Sequence, residues 1–394
     1  MTVATRHDAR LQSLRGLAAL TVAMGHSFTV PVAGRLEDPG YHLHPGNVLL
    51  TLGELAFHPN SAVIFFYVLS GFVLGEAIRR RPSAPLARET AGFVVRRVGR
   101  MVPVMWLSLA LAVAVLSIIR GRPADGTTRW FTMAVDEPAL APAHILANFA
   151  SLDYDLNGVL WSVQIELWIA PFFPLAARLG RRAGPAATVL VFAALAGGAL
   201  ALWGKLPNAA LFAYAFWLGL QLPVLLGSPL VSRVLRSRVA FVAALAVPFP
   251  VEFAYDSGHL WMPYKFLVDT LAAAEIVGFV LLRPSGRISR ALLWPPLVRL
   301  GDLSYSFYAF HLMALFALSA AVIALLPPGA FASAAIASAA TPLLAVVSVA
   351  LSLALSALVF PTIERPLTDW GRRLGARIER GRKRDPAAVA APAL

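Results

Sequence analysis

The sequence predicts an all-α integral membrane protein, polytopic, with about ten transmembrane helices and both termini cytoplasmic. Three observations carry that expectation. Of the 394 residues, 58% are hydrophobic and only 14% charged, against roughly 25% charged residues in ordinary soluble domains. Apolar runs of ~20 residues, the length that crosses ~30 Å of hydrocarbon, recur along the whole chain. They leave no polar stretch long enough to fold as a separate soluble domain. Lysine and arginine, finally, collect in alternate loops, the asymmetry that orients membrane proteins.

The expected spans are 12–31, 58–78, 101–119, 159–178, 186–203, 208–227, 239–255, 264–282, 303–325 and 340–361. An even number returns the C-terminus to the side of the N-terminus. With that side cytoplasmic, 28 of the 34 basic residues fall in cytoplasmic segments, most densely from Arg79 to Arg100 and from Arg365 to Arg384. Loop placement therefore accounts for the net charge of +13, and nucleic acid is not an expected partner. Residues 1–370 read as one membrane domain. Residues 371–394 read as a basic, then Ala/Pro-rich cytoplasmic tail with too little apolar content to order itself. The longest extracytoplasmic segments, near 32–57 and 120–158, carry Glu37, Asp38, Asp125, Asp136, Glu137, Asp153 and Asp155. With no cysteine in the chain, disulfides, thiolate catalysis and cysteine-ligated zinc are excluded, and no metal site is expected.

The first span, LQSLRGLAALTVAMGHSF, follows Arg6 and Arg10 as the core of a secretory signal would, but Arg15 and His26 interrupt it. It is expected to be retained. Eleven positions at 3.6 residues per turn put Arg15 and His26 on one helix face about 16 Å apart. Arg15 then lies near the cytoplasmic headgroups and His26 in the outer half of the bilayer. An ionisable residue inside a span is costly and points to a functional path or partner, although a membrane histidine can also serve only as an interhelical hydrogen-bonder.

The second span contains FFYVLSGF, residues 65–72, whose Ser70 and Gly71 suit close helix packing. The cytoplasmic loop after it ends FVVRRVGRMVP, placing Arg97 and Arg100 one helical turn apart on one face. Such a pair can flank a membrane span, or can hold phosphate by bidentate, charge-assisted hydrogen bonds. The fourth span opens GVLWSVQIELW. Glu166 is expected about one and a half to two turns below the outer surface, with Ser162 one turn away on its face and Trp161 near it. That depth matches the one expected for His26, so the carboxylate could orient the imidazole as in hydrolytic triads.

In the eighth span, Asp269 and Glu275 are buried candidates for proton handling or for pairing with arginine. The ninth reads LGDLSYSFYAFHLM, with Ser304, Tyr308 and His311 along one face, a pattern that fits a hydrogen-bond ladder as well as a catalytic role. The last span leaves through FPTIERPL, with Glu364 and Arg365 at the cytoplasmic boundary as interfacial anchors or part of a donor site.

These segments, in this order, resemble the membrane-bound acyltransferase family 3, whose members O-acylate surface polysaccharides, peptidoglycan, lipids and secondary metabolites. The resemblance covers essentially the whole chain, through the Arg15/His26 segment, FFYVLSGF, RRVGRMVP, LWSVQIELW, LGDLSYSFYAFH and IERP. Tyr67 before Val68 is a mild departure from the family pattern. The resemblance implies a catalytic His26, a functional Arg15, and donor binding at Arg97 and Arg100. It also implies a multi-pass enzyme of the bacterial inner membrane with no permanently bound cofactor. Acyl-coenzyme A, most commonly acetyl-coenzyme A, would be its co-substrate, and a glycan, glycolipid or other hydroxyl-bearing molecule its acceptor. His26 would act as general base or as transient acyl carrier, with Glu166 orienting it. Trp161, Ser162, Tyr308, His311 and Glu275 are secondary candidates. The competing reading is a transporter or flippase of an envelope precursor, for which paired broken helices in matching halves would be the signature; the sequence has none.

Overall fold

The computed structural model describes residues 8–380 except 29, 31–47, 82–83, 123, 125, 137–139 and 257. Most of the segment 32–57, expected on the outer side, and the end of the expected tail, 381–394, thus lie outside the described residues. Every described element is helical. The helices that build the site are α1 (Ala9–Ser27), α2 (Pro59–Arg79), α3 (Leu86–Ile119), α4 (Trp161–Ile169), α5 (Ala213–Leu226), α6 (Met262–Leu282), α7 (Pro295–Ile323), α8 (Ala334–Val359) and α9 (Arg365–Arg380).

The chain is a multi-pass membrane protein. Six helical stretches are long and apolar enough to cross a bilayer, and a seventh counts if Ala213–Leu226 and Pro229–Leu235, bent by 111°, form one span. All ten expected segments fall on helices, but not all meet that test. The helix Pro185–Ala201 is short, with 17 residues, and α1 and α6 carry polar groups that dilute their apolar character: Gln12, Arg15 and His26 on one, Lys265, Asp269 and Glu275 on the other. Such groups cost too much to face lipid, and both helices sit among other helices.

Small residues determine which helices touch. Within a bilayer the interior of the protein and the lipid are equally apolar, so close backbone approach and shape select partners. At the α1–α7 crossing, a Cβ on Gly16 would lie 2.6 Å from the Gly301 nitrogen, and one on Gly301 would collide with the Gln12 carbonyl. The α2–α5 crossing is built the same way from Gly71 and Gly219, in keeping with the packing expected at Ser70-Gly71. Around the first crossing, Gln12 Nε2 donates to Asp302 at 3.1 Å and Ser13 Oγ donates to the Leu292 carbonyl at 2.5 Å. Gly16→Ala is expected to lower stability by ~1–3 kcal/mol, the range for overpacking a close contact. An unchanged melting temperature in detergent would count against this crossing.

Two expectations about chain segments are corrected. Residues 86–119 form one continuous helix of 34 residues, so Arg97 and Arg100 stand within α3 and not in a loop. At 1.5 Å per residue α3 is about 51 Å long, well beyond the ~30 Å hydrocarbon thickness. The second correction concerns residues 371–380, expected to begin a disordered tail. They belong to α9, which packs along α3 where Gly371 and Gly375 meet Gly99 and Gly92. Glu379 pairs there with Arg96, and with Arg81 at 3.6 Å. Its polar face made this helix read as a tail, while the opposite face covers α3.

Candidate active site

The site is organised along α1. Arg15 lies toward its start and His26 at its last turn, so one rigid helix connects two centres separated by about three turns.

The first centre is a cavity lined by Arg15 of α1, Phe66, Tyr67 and Ser70 of α2, Arg97 and Arg100 of α3, Ser162 and Glu166 of α4, and Ser304, Tyr305 and Tyr308 of α7. Arg97 forms an ion pair with Glu166, whose other oxygen accepts from Ser70 Oγ at 3.3 Å. Arg15 has, among the described residues, only a long contact of 3.4 Å with Gln12 Oε1. Among the described residues Arg100 makes no hydrogen bond or ion pair, although Arg100 and Arg15 both feel the charge of Glu364. Three guanidinium groups thus face two carboxylates, and an excess of positive charge remains for an anionic ligand. Arginine suits phosphate oxygens in this setting because its planar fork can bind two at once.

The second centre is a pair of histidines. His26 Nδ1 and His311 Nε2 are 2.8 Å apart, and His311 Nδ1 lies 2.6 Å from the Tyr308 carbonyl oxygen. Trp130 covers His26 with ring centroids 5.7 Å apart and planes 22° apart, and is itself held edge-on by Phe316 at 5.0 Å. His311 is buried at 2% exposure, whereas His26 is half-buried.

Tyr308 lies between the centres. Its hydroxyl donates to the Val159 carbonyl at 2.8 Å and meets Ser162 Oγ at 2.8 Å, while its carbonyl holds His311. Asn157 Nδ2 donates to the Ala309 carbonyl at 2.9 Å. Together these bonds tie the 3₁₀ turn Asp155–Leu160, which leads into α4, to the middle of α7. Phe66 meets Tyr308 edge to face, with centroids 6.0 Å apart, at the end of the cavity nearer the histidines.

The structure brings Arg15, Arg97, Arg100, Glu166, Ser162 and Tyr308 to one cavity, and His26 and His311 to one hydrogen bond. It does not pair His26 with Glu166: the described partner of the imidazole is His311, and those of the carboxylate are Arg97 and Ser70. The chain before α4 is kinked at Asn157, with φ −140° and ψ 90°, so Glu166 does not follow from a straight helix beginning at the outer surface, and its carboxylate meets α3 at Arg97.

Trp161 packs edge-on against Tyr67 at 6.2 Å and does not line the cavity. Glu275 is buried in α6 away from both centres. Asp269 pairs with Lys265 at 3.1 Å and accepts from Ser61 at 3.0 Å, not with an arginine; Lys265 also pairs with Glu252 at 2.9 Å and is fully buried. Glu364 is no interfacial anchor, since it is 4% exposed and accepts from Ser306 Oγ at 2.5 Å. Reading the sequence alone missed Ser70, taken as packing, and Trp130, for which no local pattern exists. Ligand atoms of His144, Asp153 and Asp155, the first and last of them exposed, lie within 4.8 Å of one another.

Residues 8–360 match the family described as "Acyltransferase domain". No curated protein and no solved structure matches the chain.

Proposed function

The chain belongs to this family of membrane acyltransferases, and from that premise we propose that it carries an acyl group from cytoplasmic acyl-coenzyme A to a hydroxyl on an extracytoplasmic acceptor. The acyl group is acetyl, and the acceptor a cell-envelope or exopolysaccharide glycan. The enzyme is a ten-span protein of the bacterial inner membrane with both termini cytoplasmic, which puts the arginine centre at the cytoplasmic side and the histidine pair toward the outside.

The observation that carries this reading is the placement of an arginine-lined cavity and a half-buried histidine at the two ends of one face of α1. A donor with phosphates at one end and a thioester at the end of a long flexible arm matches that separation of about 16 Å. Arg100 and Arg15 bind the phosphates, and Arg97 is held in place by Glu166. The thioester passes Phe66 and Tyr308 to reach His26. There His26 removes the acceptor's proton as its oxygen attacks the thioester carbonyl carbon. The C–O bond forms, the C–S bond breaks, and the coenzyme thiolate leaves and takes up the proton from His26.

The test uses purified protein in nanodiscs with acetyl-coenzyme A and an envelope glycan. Stoichiometric release of free coenzyme A with ester formation on the glycan is expected; no release, together with unaltered envelope glycans in a strain lacking the gene, would overturn the proposal. Arg100→Ala is expected to raise the donor KM at least tenfold with kcat little changed, since a charge-assisted hydrogen bond contributes ~1.5–3 kcal/mol and acts here as uniform binding. A lower kcat at unchanged donor affinity would remove Arg100 from phosphate recognition.

A further inference from the structure

The hydrogen-bond chain in the middle of α7 specifies which nitrogen of His26 carries the proton. His311 Nδ1 is 2.6 Å from the Tyr308 carbonyl oxygen, and a carbonyl can only accept, so that nitrogen bears hydrogen. The other neighbour of the His311 ring is an imidazole. Neither is a negative charge that would hold a second proton on this buried ring, so His311 Nε2 presents a lone pair. His26 Nδ1, 2.8 Å from that lone pair, must then supply the hydrogen of the bond.

The ring geometry agrees. The two planes are 5° apart and the centroids 5.1 Å apart. Combined with a nitrogen–nitrogen distance of 2.8 Å, these values describe rings joined edge to edge in nearly one plane, with the N–H directed along the partner's lone pair. A face-to-face stack does not bring two ring nitrogens into such contact.

We infer that His311 is a positioning residue that locks His26 as its Nδ1–H tautomer and thereby makes Nε2 the atom that takes the acceptor's proton. The inference rests on the reading of His26 as the base. In hydrolytic triads a carboxylate fills this role; here a neutral imidazole does so, held in turn by a main-chain carbonyl. When Nε2 has taken the hydroxyl proton, the imidazolium keeps its Nδ1–H bond to His311. It then returns the Nε2 proton to the departing thiolate, and His311 itself gains and loses nothing. The opposite tautomer would present an N–H to the acceptor and could not act as a base.

The architecture provides for this contact. Gly16 touches Gly301, and ten residues further along each helix His26 meets His311, so α1 and α7 run parallel and in step. The glycine contact sets the register that the histidine bond needs. Trp130 against the face of His26 restricts rotation of its ring.

The experiment is nitrogen NMR on protein labelled with ¹⁵N-histidine in nanodiscs, with the His26 signals assigned by their loss in His26→Gln. In the native protein His26 is expected to show a protonated Nδ1 and an unprotonated Nε2. His311→Phe keeps a ring but removes the acceptor; it is expected to shift His26 toward the Nε2–H form and to lower kcat about 10–100-fold, as for partners that orient reactive imidazoles. The donor KM should not change. His311→Gln, whose amide oxygen can stand near the position of Nε2, should restore part of kcat and the native tautomer. A native His26 protonated on Nε2 would overturn the inference, as would a His311→Phe protein with unaltered signals and kcat. If His311→Phe fails to fold, the native spectrum and His311→Gln decide. Full activity in His26→Gln would instead defeat the base assignment, a result separable from the tautomer that the spectrum reports.

Discussion

Replacing His26 by glutamine is expected to abolish acyl transfer while leaving the fold and donor binding intact. Glutamine is close in volume, and the α1–α7 contact at Gly16 and Gly301 does not involve residue 26. What glutamine lacks is a basic nitrogen. Loss of a general base costs about 10²–10⁴-fold in rate, and loss of a nucleophile as much or more, so the result does not depend on which of the two roles His26 plays. The donor should still bind, because Arg15, Arg97 and Arg100 line a cavity that His26 does not reach. Single-turnover transfer in nanodiscs, alongside equilibrium binding of acetyl-coenzyme A, separates these effects. Turnover above about a tenth of the native rate would remove His26 from the chemistry.

The second large effect is expected at the Arg97–Glu166 pair. The two side chains are only 8% and 16% exposed, which places them with buried ion pairs and not with surface ones. Removing one member of such a pair leaves an uncompensated charge and costs ~3–5 kcal/mol, whereas replacing both by apolar groups of similar volume is often neutral. Glu166→Met and Arg97→Met should therefore each destabilise strongly, and the double variant carrying both should recover most of the loss. Thermal melts of the four proteins give the coupling energy. If the single variants melt like the native protein, the pair does not support the fold. If the double variant recovers stability yet binds acetyl-coenzyme A weakly, Arg97 contributes to donor binding beyond its structural part.

Arg15 and His26 on one face of a helix, Arg97 one turn from Arg100, and Ser162 one turn from Glu166 were all legible from spacing, because 3.6 residues per turn is a local property. The apolar composition likewise determined a helical membrane protein, since a bilayer leaves backbone polar groups no partner outside the helix. The family's ordered motifs, carried by the same segments, pointed to acyl transfer.

Partners and depths were another matter. His26 and His311 are 285 positions apart, and their contact depends on two glycines that bring α1 and α7 together in parallel. Glu166 went to Arg97 and not to His26, and the kinked turn that leads into its helix is tied to α7 by Asn157 and Tyr308. Residues 371–380 became ordered only because glycines on α3 admit those on α9. The physical reason is common to all three. In a bilayer, apolar surface does not distinguish lipid from protein, so hydrophobic pattern identifies a helix without naming its neighbour, and only close contacts between specific small and polar side chains in the assembled bundle decide which groups meet.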